Sequence, residues 1–238
     1  MAQTVLHKAN TRGGADHGWL KSSHTFSFGS YFNPERVQFG ALRVLNDDTV
    51  DGGRGFGEHP HDNMEIISIP LEGALEHKDS MGNVATIERG EIQVMSAGTG
   101  IYHAEDNKDK SLPVKFLQIW IFPNKRNVTP RYDQKKIDIT STPNQLVQVL
   151  SPNPDDAGVW IYQYAWFNMA SLEQKHQIEY TIHKKGNGAY IFVLEGDVEI
   201  NGQLLNKRDG YGIWDTEGFT VFANTDAEFL IMDVPMEF

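Results

Sequence analysis

Two short motifs carry the side chains best suited to bind a metal ion. His59 and His61 form an HxH motif, and His103 and Glu105 form an HxE motif further along the chain. In an extended strand, side chains at positions i and i+2 point to the same face. Each motif therefore projects two ligands together. If the two strands face each other across a barrel, three imidazoles and one carboxylate converge on one point.

This ligand set is chemically informative because the chain contains no cysteine. Disulfides, zinc ribbons and iron–sulfur clusters are thereby excluded. Imidazole and carboxylate ligands suit Fe, Ni, Cu, Zn, Mn and Co, and zinc prefers a closed tetrahedral site. Four protein ligands leave two positions of an octahedral ion open for dioxygen and a chelating substrate. We therefore favour one divalent ion, Fe(II) first, although affinity alone favours copper or nickel.

The residues around the two motifs favour a metal site over an ordinary pair of surface histidines. Gly98 and Gly100 precede His103, and glycine permits backbone positions that other residues disfavour. Pro60 separates the first two histidines and cannot donate a hydrogen bond to a sheet. We expect Pro60 at a strand start or on a sheet edge, which would leave the ligands at a barrel mouth.

The elements that must position these residues are predicted to be strands. Short segments rich in Val, Ile, Phe and Tyr alternate with Gly- and Asn-containing turns, which is typical of a sandwich or barrel. Helical periodicity is scarce, and residues 171–175 are the one candidate for a helical turn. The predicted strands are 37–45, 65–71, 84–88, 92–95, 114–122, 146–150, 159–167, 177–183, 189–194, 197–200 and 228–234.

An internal repeat divides the chain into two similar parts. The tripeptide Leu-Glu-Gly occurs at 71–73 and again at 194–196, each time between strand-like segments and before a turn containing Asn and Gly. Two copies of a small antiparallel barrel explain the length better than one large sheet. We predict an N-terminal metal-binding domain over residues 1–135 and a C-terminal domain over 136–238. The basic residues between 125 and 136 are interpreted as a solvated linker.

Composition restricts the partners and the location. The chain has 238 residues and a net charge of −11, which argues against direct nucleic-acid binding. No apolar run reaches the roughly 18 residues of a membrane span, and the N-terminus lacks a signal pattern. We expect a cytoplasmic protein that does not bind membranes, and we expect it to be a monomer.

The sequences of the motifs resemble those of the pirin family of bicupins. The similarity lies in Gly-Glu-His-Pro-His at 57–61, Leu-Glu-Gly at 71–73, His-x-Asp-Ser-x-Gly-Asn at 77–83, and Met-Ser-Ala-Gly-x-Gly-Ile-x-His-x-Glu at 95–105. The resemblance covers nearly the whole chain. It implies an all-β fold of two stacked antiparallel β-barrels of the jelly-roll type, with little helix and one metal site in the N-terminal barrel.

Carried over by position, the pirin ligands fall on His59, His61, His103 and Glu105. Glu65 occupies the place where many other cupins have a carboxylate ligand, so it is kept as a supporting residue. In the second copy, alignment of the repeats places Ile182, Lys184, Phe222 and Asn224 under the four ligands. We therefore predict that the C-terminal barrel binds no metal and supports the first one.

The resemblance also implies an activity, that of quercetin 2,3-dioxygenase. Such an enzyme opens the central ring of a flavonol with O2 and releases CO, and Glu105 or Glu65 would accept the substrate's proton. An alternative is an iron-binding regulatory protein with a protein partner, whose oxygenase activity is incidental. A third possibility is a cupin isomerase or hydrolase that uses the metal as a Lewis acid and needs no oxygen.

Several other residues have weaker assignments. His77 is interpreted as a structural hydrogen-bonding residue and His24 as a packing residue near the pocket. Phe56 and Met95 are candidates for an apolar pocket wall. The polar stretch 46–48 is interpreted as a turn.

Overall fold

Nearly all of the regular secondary structure is β-strand. The computed structural model describes residues 2–238, in which 22 strands and one 3-10 turn, Ala9–Thr11, are found. All but one of the strand pairings are antiparallel; the pair over Leu150–Ser151 and Val159–Trp160 is parallel. Residues 2–238 contain no helix with the length and apolar character that crossing a membrane would need.

Two sheets form the N-terminal unit, and it is these that carry the candidate ligands. Its large sheet contains, in spatial order, β12 (Arg131–Lys136), β9 (Glu91–Ser96), β6 (Glu65–Glu72), β11 (Val114–Ile121), β4 (Leu42–Val50), β3 (Leu20–His24) and β2 (Gly13–Asp16). Its small sheet contains β5 (Gly55–His61), β10 (Ile101–Asn107), β7 (Ala74–Asp79) and β8 (Val84–Glu88).

The C-terminal unit repeats this plan. Its large sheet contains β1 (Gln3–His7), β20 (Gly210–Trp214), β17 (Asn187–Glu195), β22 (Ala227–Pro235), β15 (Trp166–Leu172), β13 (Val147–Ser151) and β14 (Val159–Trp160). Its small sheet contains β16 (Gln177–Thr181), β21 (Gly218–Ala223), β18 (Val198–Ile200) and β19 (Gln203–Leu205). The prediction of two stacked antiparallel β units with little helix is confirmed.

The main apolar core lies between the two large sheets. Alternate residues of each strand point to opposite faces. Ile67 and Ile69 of β6 lie on the face of the N-terminal large sheet that packs against the C-terminal unit. They join a cluster that includes Phe167 and Phe192 from the C-terminal unit. The two large sheets therefore stack face to face, and each small sheet covers the far side of its own large sheet.

The strands at the start and in the middle of the chain show where one unit ends and the other begins. β1 pairs along its length with β20, so a strand from the start of the sequence completes the C-terminal large sheet. β12 pairs with β9 and continues the N-terminal large sheet to residue 136. The proposed division at residue 135 stays a prediction. β12 ends one residue beyond it, whereas β1 belongs to the sheet on the other side of it.

Several local predictions were wrong. The strand expected at 159–167 is divided between β14 and β15, and residues 161–165 are not in a strand. The strand expected at 37–45 begins only at Leu42 and runs to Val50, so residues 46–48 lie within β4 and form no turn. Ser171 lies inside β15 and does not cap a helical turn. Arg131, assigned to a solvated linker, belongs to β12, and its guanidinium lies 3.9 Å from the centre of the Trp160 ring.

Candidate metal centre

The three motif histidines come from two neighbouring strands. β5 lies at the edge of the small sheet and pairs with β10, where His59 is opposite His103 and His61 is opposite Ile101. The expectation that the two strands face each other across a barrel is therefore wrong, since direct strand pairing brings the histidines together. Pro60 occupies the predicted edge position, where its missing N–H leaves no unpaired group in the sheet.

The imidazoles form a tight cluster. The ring centres of His59 and His61 are 4.9 Å apart, those of His59 and His103 are 4.4 Å apart, and those of His61 and His103 are 5.0 Å apart. One ring nitrogen from each lies within 4.8 Å of the others. Small rotations of the rings can bring three nitrogens at this spacing to one transition-metal ion, for which ordinary bond lengths are about 2.0–2.1 Å.

One contact fixes how His59 is presented. Its Nδ1 lies 2.8 Å from the carbonyl oxygen of Gly57. A carbonyl oxygen only accepts, so Nδ1 carries the proton and donates it, while Nε2 keeps its lone pair. A backbone carbonyl of this kind commonly orients a metal-binding histidine.

Two imidazoles of the cluster have lowered pKa values. Burial, followed by the neighbouring His103 and His59, lowers the pKa of His61 to about 4. Burial, followed by His59 and His77, lowers the pKa of His103 to about 3. These two rings are therefore neutral at pH 7, which is the form that binds metal.

His103 is the member of the cluster with the strongest need for a ligand. Its side chain is buried, and both ring nitrogens lack a hydrogen-bond partner among residues 2–238. A buried polar atom without a partner is costly, so such atoms usually mark a ligand, an ion or a water. The fit of this site to a metal rests mainly on that observation.

Glu105 is held by a set of polar side chains on the large sheet. Its Oε1 accepts hydrogen bonds from Ser68 Oγ at 2.7 Å and from Gln93 Nε2, and its Oε2 accepts one from Gln118 Nε2 at 2.6 Å. A carboxylate has about four acceptor positions, so one is left for a metal. The carboxylate also lies within 4.8 Å of ligand nitrogens of His103 and His77.

A cavity of about 480 Å³ opens beside the cluster. This is within the roughly 300–1,000 Å³ typical of small-molecule sites. Phe28, Phe56 and Trp120 contribute aromatic walls. Of eleven buried side-chain atoms without a partner in residues 2–238, five line this cavity: His24 Nδ1, Asn46 Oδ1, both His103 nitrogens and Trp120 Nε1.

The remaining predicted residues divide between the cavity and the surrounding structure. Phe56 and His24 line the cavity, whereas Met95 packs in a separate apolar cluster. His77 was predicted to be a structural hydrogen-bonding residue. Its Nε2 lies 3.1 Å from Asp79 Oδ2, and its ring stacks on Tyr132.

Glu65 lies away from the cavity. It is absent from the cavity lining, and its Oε2 accepts a hydrogen bond from Ser96 Oγ at 2.6 Å. Burial raises the pKa of Glu65 to about 7, although Ser96, Arg131 and Tyr162 act in the opposite direction. The side chain therefore belongs to the strand packing behind the site.

Sequence reasoning missed a group of polar residues on the large sheet. Ser22, Asn46, Asp48 and Gln118 all line the cavity. The sequence carries no clear signal for them, because each face of the strand over 42–50 mixes apolar and polar residues. Val44 and Val50 share a face with Asn46 and Asp48, so no polar face stands out.

The C-terminal unit has no corresponding cluster of ligands within residues 136–238. Strand pairing places Phe219 and Val221 of β21 where β10 has His103 and Glu105, and Tyr180 of β16 where β5 has His59. The sequence alignment had placed Phe222 and Asn224 there, three positions too far. The correct residues also cannot replace the ligands, because two are apolar and Tyr180 donates its hydroxyl to Asp233 Oδ2.

A larger cleft of about 1080 Å³ lies between the two units. Lys184, Lys185 and Arg126 are among its lining residues, and none of the clustered histidines is. Size alone therefore does not identify the candidate site, and the histidine cluster does.

Two family profiles match the chain. The family described as Pirin matches residues 5–121, and the Quercetinase C-terminal cupin domain matches residues 148–234. The chain is 44% identical over 234 residues to a protein of Escherichia coli K12 named quercetin 2,3-dioxygenase, which covers 97% of this chain and 98% of that protein. It is 41% identical to a pirin-like protein of Caulobacter vibrioides, over 93% of this chain and 95% of that protein.

Solved structures with the same fold are also known. The crystal structure of the bacterial pirin YhhW from Escherichia coli in complex with nickel(II) matches with a TM-score of 0.93 at 41% identity, over 98% of this chain and 99% of that one. A quercetin 2,3-dioxygenase from Acinetobacter baumannii matches with a TM-score of 0.81 at 19% identity, over 99% and 87% of the two chains. The latter similarity concerns the fold alone.

Proposed function

This chain belongs to the pirin family, and we propose that it is a metal-dependent dioxygenase that opens the central ring of flavonols such as quercetin with O2 and releases CO. The observation that carries the proposal is the cluster of three imidazoles beside a cavity with aromatic walls. The name of the Escherichia coli relative supports the substrate class.

We propose that His59, His61, His103 and Glu105 hold one divalent metal ion. The two unpartnered nitrogens of buried His103 and the remaining acceptor position of Glu105 fit such an ion. When bound, the metal would supply Lewis acidity and, if redox-capable, electron transfer to dioxygen. We favour Fe(II), and Ni(II) is the first alternative because the similar Escherichia coli pirin was crystallised with nickel(II).

The chain's own residues would bind and orient the substrate. Phe28, Phe56 and Trp120 would hold the flat ring system, with the 3-hydroxyl and neighbouring carbonyl directed at the histidines. Because His61 and His103 are neutral, they do not cancel the positive charge of a bound divalent metal, which would therefore attract an anionic substrate oxygen. Glu65 does not line the cavity, so we do not retain it as a proton acceptor.

We further propose a division of labour along the chain. Residues 1–135 would bind metal and substrate, and residues 136–238 would support them through the apolar core between the large sheets. We propose that the protein acts as a monomer in the cytoplasm, with O2 and a small aromatic molecule as its partners.

The test is turnover of quercetin by protein loaded separately with Fe(II) and with Ni(II). We expect one O2 consumed and one CO released per quercetin, measured with an oxygen electrode and by CO binding to haemoglobin. Protein treated with a chelator is the control. Turnover without oxygen would favour an isomerase or hydrolase instead, and absence of turnover with any divalent metal would contradict the proposal.

A further inference from the structure

A strip of polar side chains on β3 and β4 forms one wall of the cavity. Ser22 is paired with Asp48, and His24 is paired with Asn46, across the two strands. All four side chains are buried and line the cavity. Buried polar groups are normally satisfied, yet His24 Nδ1 and Asn46 Oδ1 have no partner among residues 2–238. This wall is therefore suited to a polar ligand.

Asp48 is the acidic residue of this wall. Its side chain is only 4% exposed. Ser22 Oγ donates a hydrogen bond to Oδ1, while no residue within 2–238 donates one to Oδ2. The second oxygen is therefore left for a group inside the cavity. Burying a carboxylate with one hydrogen bond is expensive, so the position calls for an explanation beyond packing.

Asp48 and Glu105 are the two carboxylates among the described residues that line the cavity. Glu105 accepts from Ser68, Gln93 and Gln118, and its last acceptor position is assigned to the metal. A group so occupied cannot also receive a proton readily. Asp48 has the acceptor capacity that Glu105 lacks.

The surroundings of Asp48 also suit proton transfer. Burial raises the pKa of its carboxyl to about 7, with smaller contributions from Asp47 and Glu105 in the same direction, while the Ser22 hydrogen bond opposes them. The other titratable groups that line the cavity with it are His17, His24 and the three clustered histidines. A base is most effective when its pKa lies near the working pH.

We propose that Asp48 is a catalytic residue that accepts the proton of the flavonol hydroxyl, with Ser22 holding its carboxylate in position. The inference rests on the proposed dioxygenase function. In this step the substrate O–H bond breaks and an H–Oδ2 bond forms, and the electron pair stays on the substrate oxygen. The proton returns to the carboxylic acid group of the ring-opened product, so the sum remains flavonol plus O2 giving product plus CO.

The first test is Asp48→Asn, which keeps the shape of the side chain and removes the base. We expect kcat/KM for quercetin to fall about 100-fold or more, since general base catalysis contributes roughly 10²–10⁴-fold. Ser22→Ala should give a smaller loss of about 10-fold or less. The matched control is Asp47→Asn, a neighbouring residue on the opposite face of β4 that is paired with Arg12 and Arg208.

A second measurement does not depend on turnover. Quercetin titrated into metal-loaded protein without oxygen should show the long-wavelength absorption of the anion with wild type and Asp47→Asn. With Asp48→Asn it should keep the neutral spectrum at the same pH. Metal content and melting temperature of each variant establish that it is folded and loaded.

The outcomes separate the two proposals. If wild type turns over quercetin and Asp48→Asn matches it in rate and spectrum, the assignment of Asp48 is wrong and the dioxygenase function stands. If wild type itself consumes no O2 with any divalent metal, the dioxygenase function fails first. A loss of rate in Asp48→Asn with an unchanged anion spectrum would also overturn the role in proton transfer.

Discussion

The two units share one arrangement of strands but differ in the polarity of the residues between their sheets. Across the N-terminal large sheet, one row of paired residues facing the small sheet is polar: Gln93, Ser68, Gln118 and Asn46. The matching row of the C-terminal large sheet is mostly apolar: Tyr211, Ile191, Ile231 and Asn168. The next row has Asp48 in one unit and Ala170 in the other.

This difference indicates that the N-terminal unit provides the candidate binding site, while the C-terminal unit contributes mainly apolar packing. The interior of the C-terminal unit is one continuous apolar cluster, which includes Ile191, Ile231 and Val221. The interior of the N-terminal unit has two smaller apolar clusters, around Phe116 and around Ile66, and the polar row and ligands lie apart from them. A site with unpartnered polar groups lowers stability, and the second unit supplies apolar packing in which Asn168 Nδ2 is the one such atom of its row.

The largest expected effect is on metal binding by His103→Ala. Removing a ligand should weaken metal affinity by more than the roughly 10–100-fold lost when a supporting residue is changed. Elemental analysis of purified protein should then find almost no metal. The control is His183→Ala in the C-terminal unit, whose ring contacts Tyr180 and Asp233 and whose loss should leave metal content unchanged. A metal-free His183→Ala protein would break the comparison.

Folding stability should respond most in the other unit. Ile191→Ser removes a fully buried side chain from the continuous cluster and buries a hydroxyl there. We expect a loss of about 3–5 kcal/mol in the free energy of unfolding. Ser68→Ala, at the matching place in the N-terminal unit, should cost only about 1 kcal/mol. Urea unfolding of the metal-free proteins measures both, and equal losses would show that the two interiors do not differ in this way.

A change that makes the polar row resemble its apolar counterpart sharpens the comparison further. Gln118→Ile introduces the residue type found at 231 and removes the hydrogen bond to Glu105 Oε2. Metal affinity should fall about 10–100-fold, while the free energy of unfolding changes little. Competition with a chelator of known affinity measures the first quantity. An unchanged affinity would mean that this bond does not orient Glu105.

The smallest effect concerns the pH dependence of stability. The pKa of Asp48 is raised to about 7, mainly by burial, so between about pH 4 and 7 the folded state holds a proton that the unfolded state has lost. This contribution to stability is present at low pH and is lost as the pH rises towards 7. Asp48→Ala, which copies Ala170, removes it.

The stability of Asp48→Ala relative to wild type should therefore increase by about 1 kcal/mol per pH unit through this range. Urea unfolding of both proteins at pH 5, 6 and 7 tests the slope. A constant difference between wild type and Asp48→Ala would contradict the raised pKa.

Much of the fold could be predicted because many strands carry β-forming residues with clear turns between them. The strand at 84–88 was located to the residue, and that at 65–71 to within one. The strands selected by their β-forming residues did not include β5 and β10, and only the argument about ligand spacing treated the two motifs as extended. Much of both segments consists of Gly, Pro, Glu, Asp, Asn and Ala, which are depleted in strands. Residues that depart from local propensity in this way are expected at a functional site.

The histidine cluster was predictable, whereas its surroundings were not. The spacing of His59 and His61 predicts a shared face directly, whereas strand pairing is what brings His103 to them. The role of Asp48 depends on which strands pair with β4 and on the size of the cavity, and neither is encoded in a short spacing. Strand register was also needed to identify the C-terminal residues that correspond to His103 and Glu105. The two repeats differ in length before these positions, so the sequence alignment was shifted by three residues.

The pairing of β1 with Gly210–Trp214 has a consequence for how the chain is made. During synthesis this strand leaves the ribosome long before its partner exists, so its edge stays open until almost the whole chain has emerged. Pairing between such distant segments slows folding and prolongs exposure to aggregation. We expect the nascent chain to depend on chaperones until β20 is released, and a circular permutant that joins these strands early to fold faster.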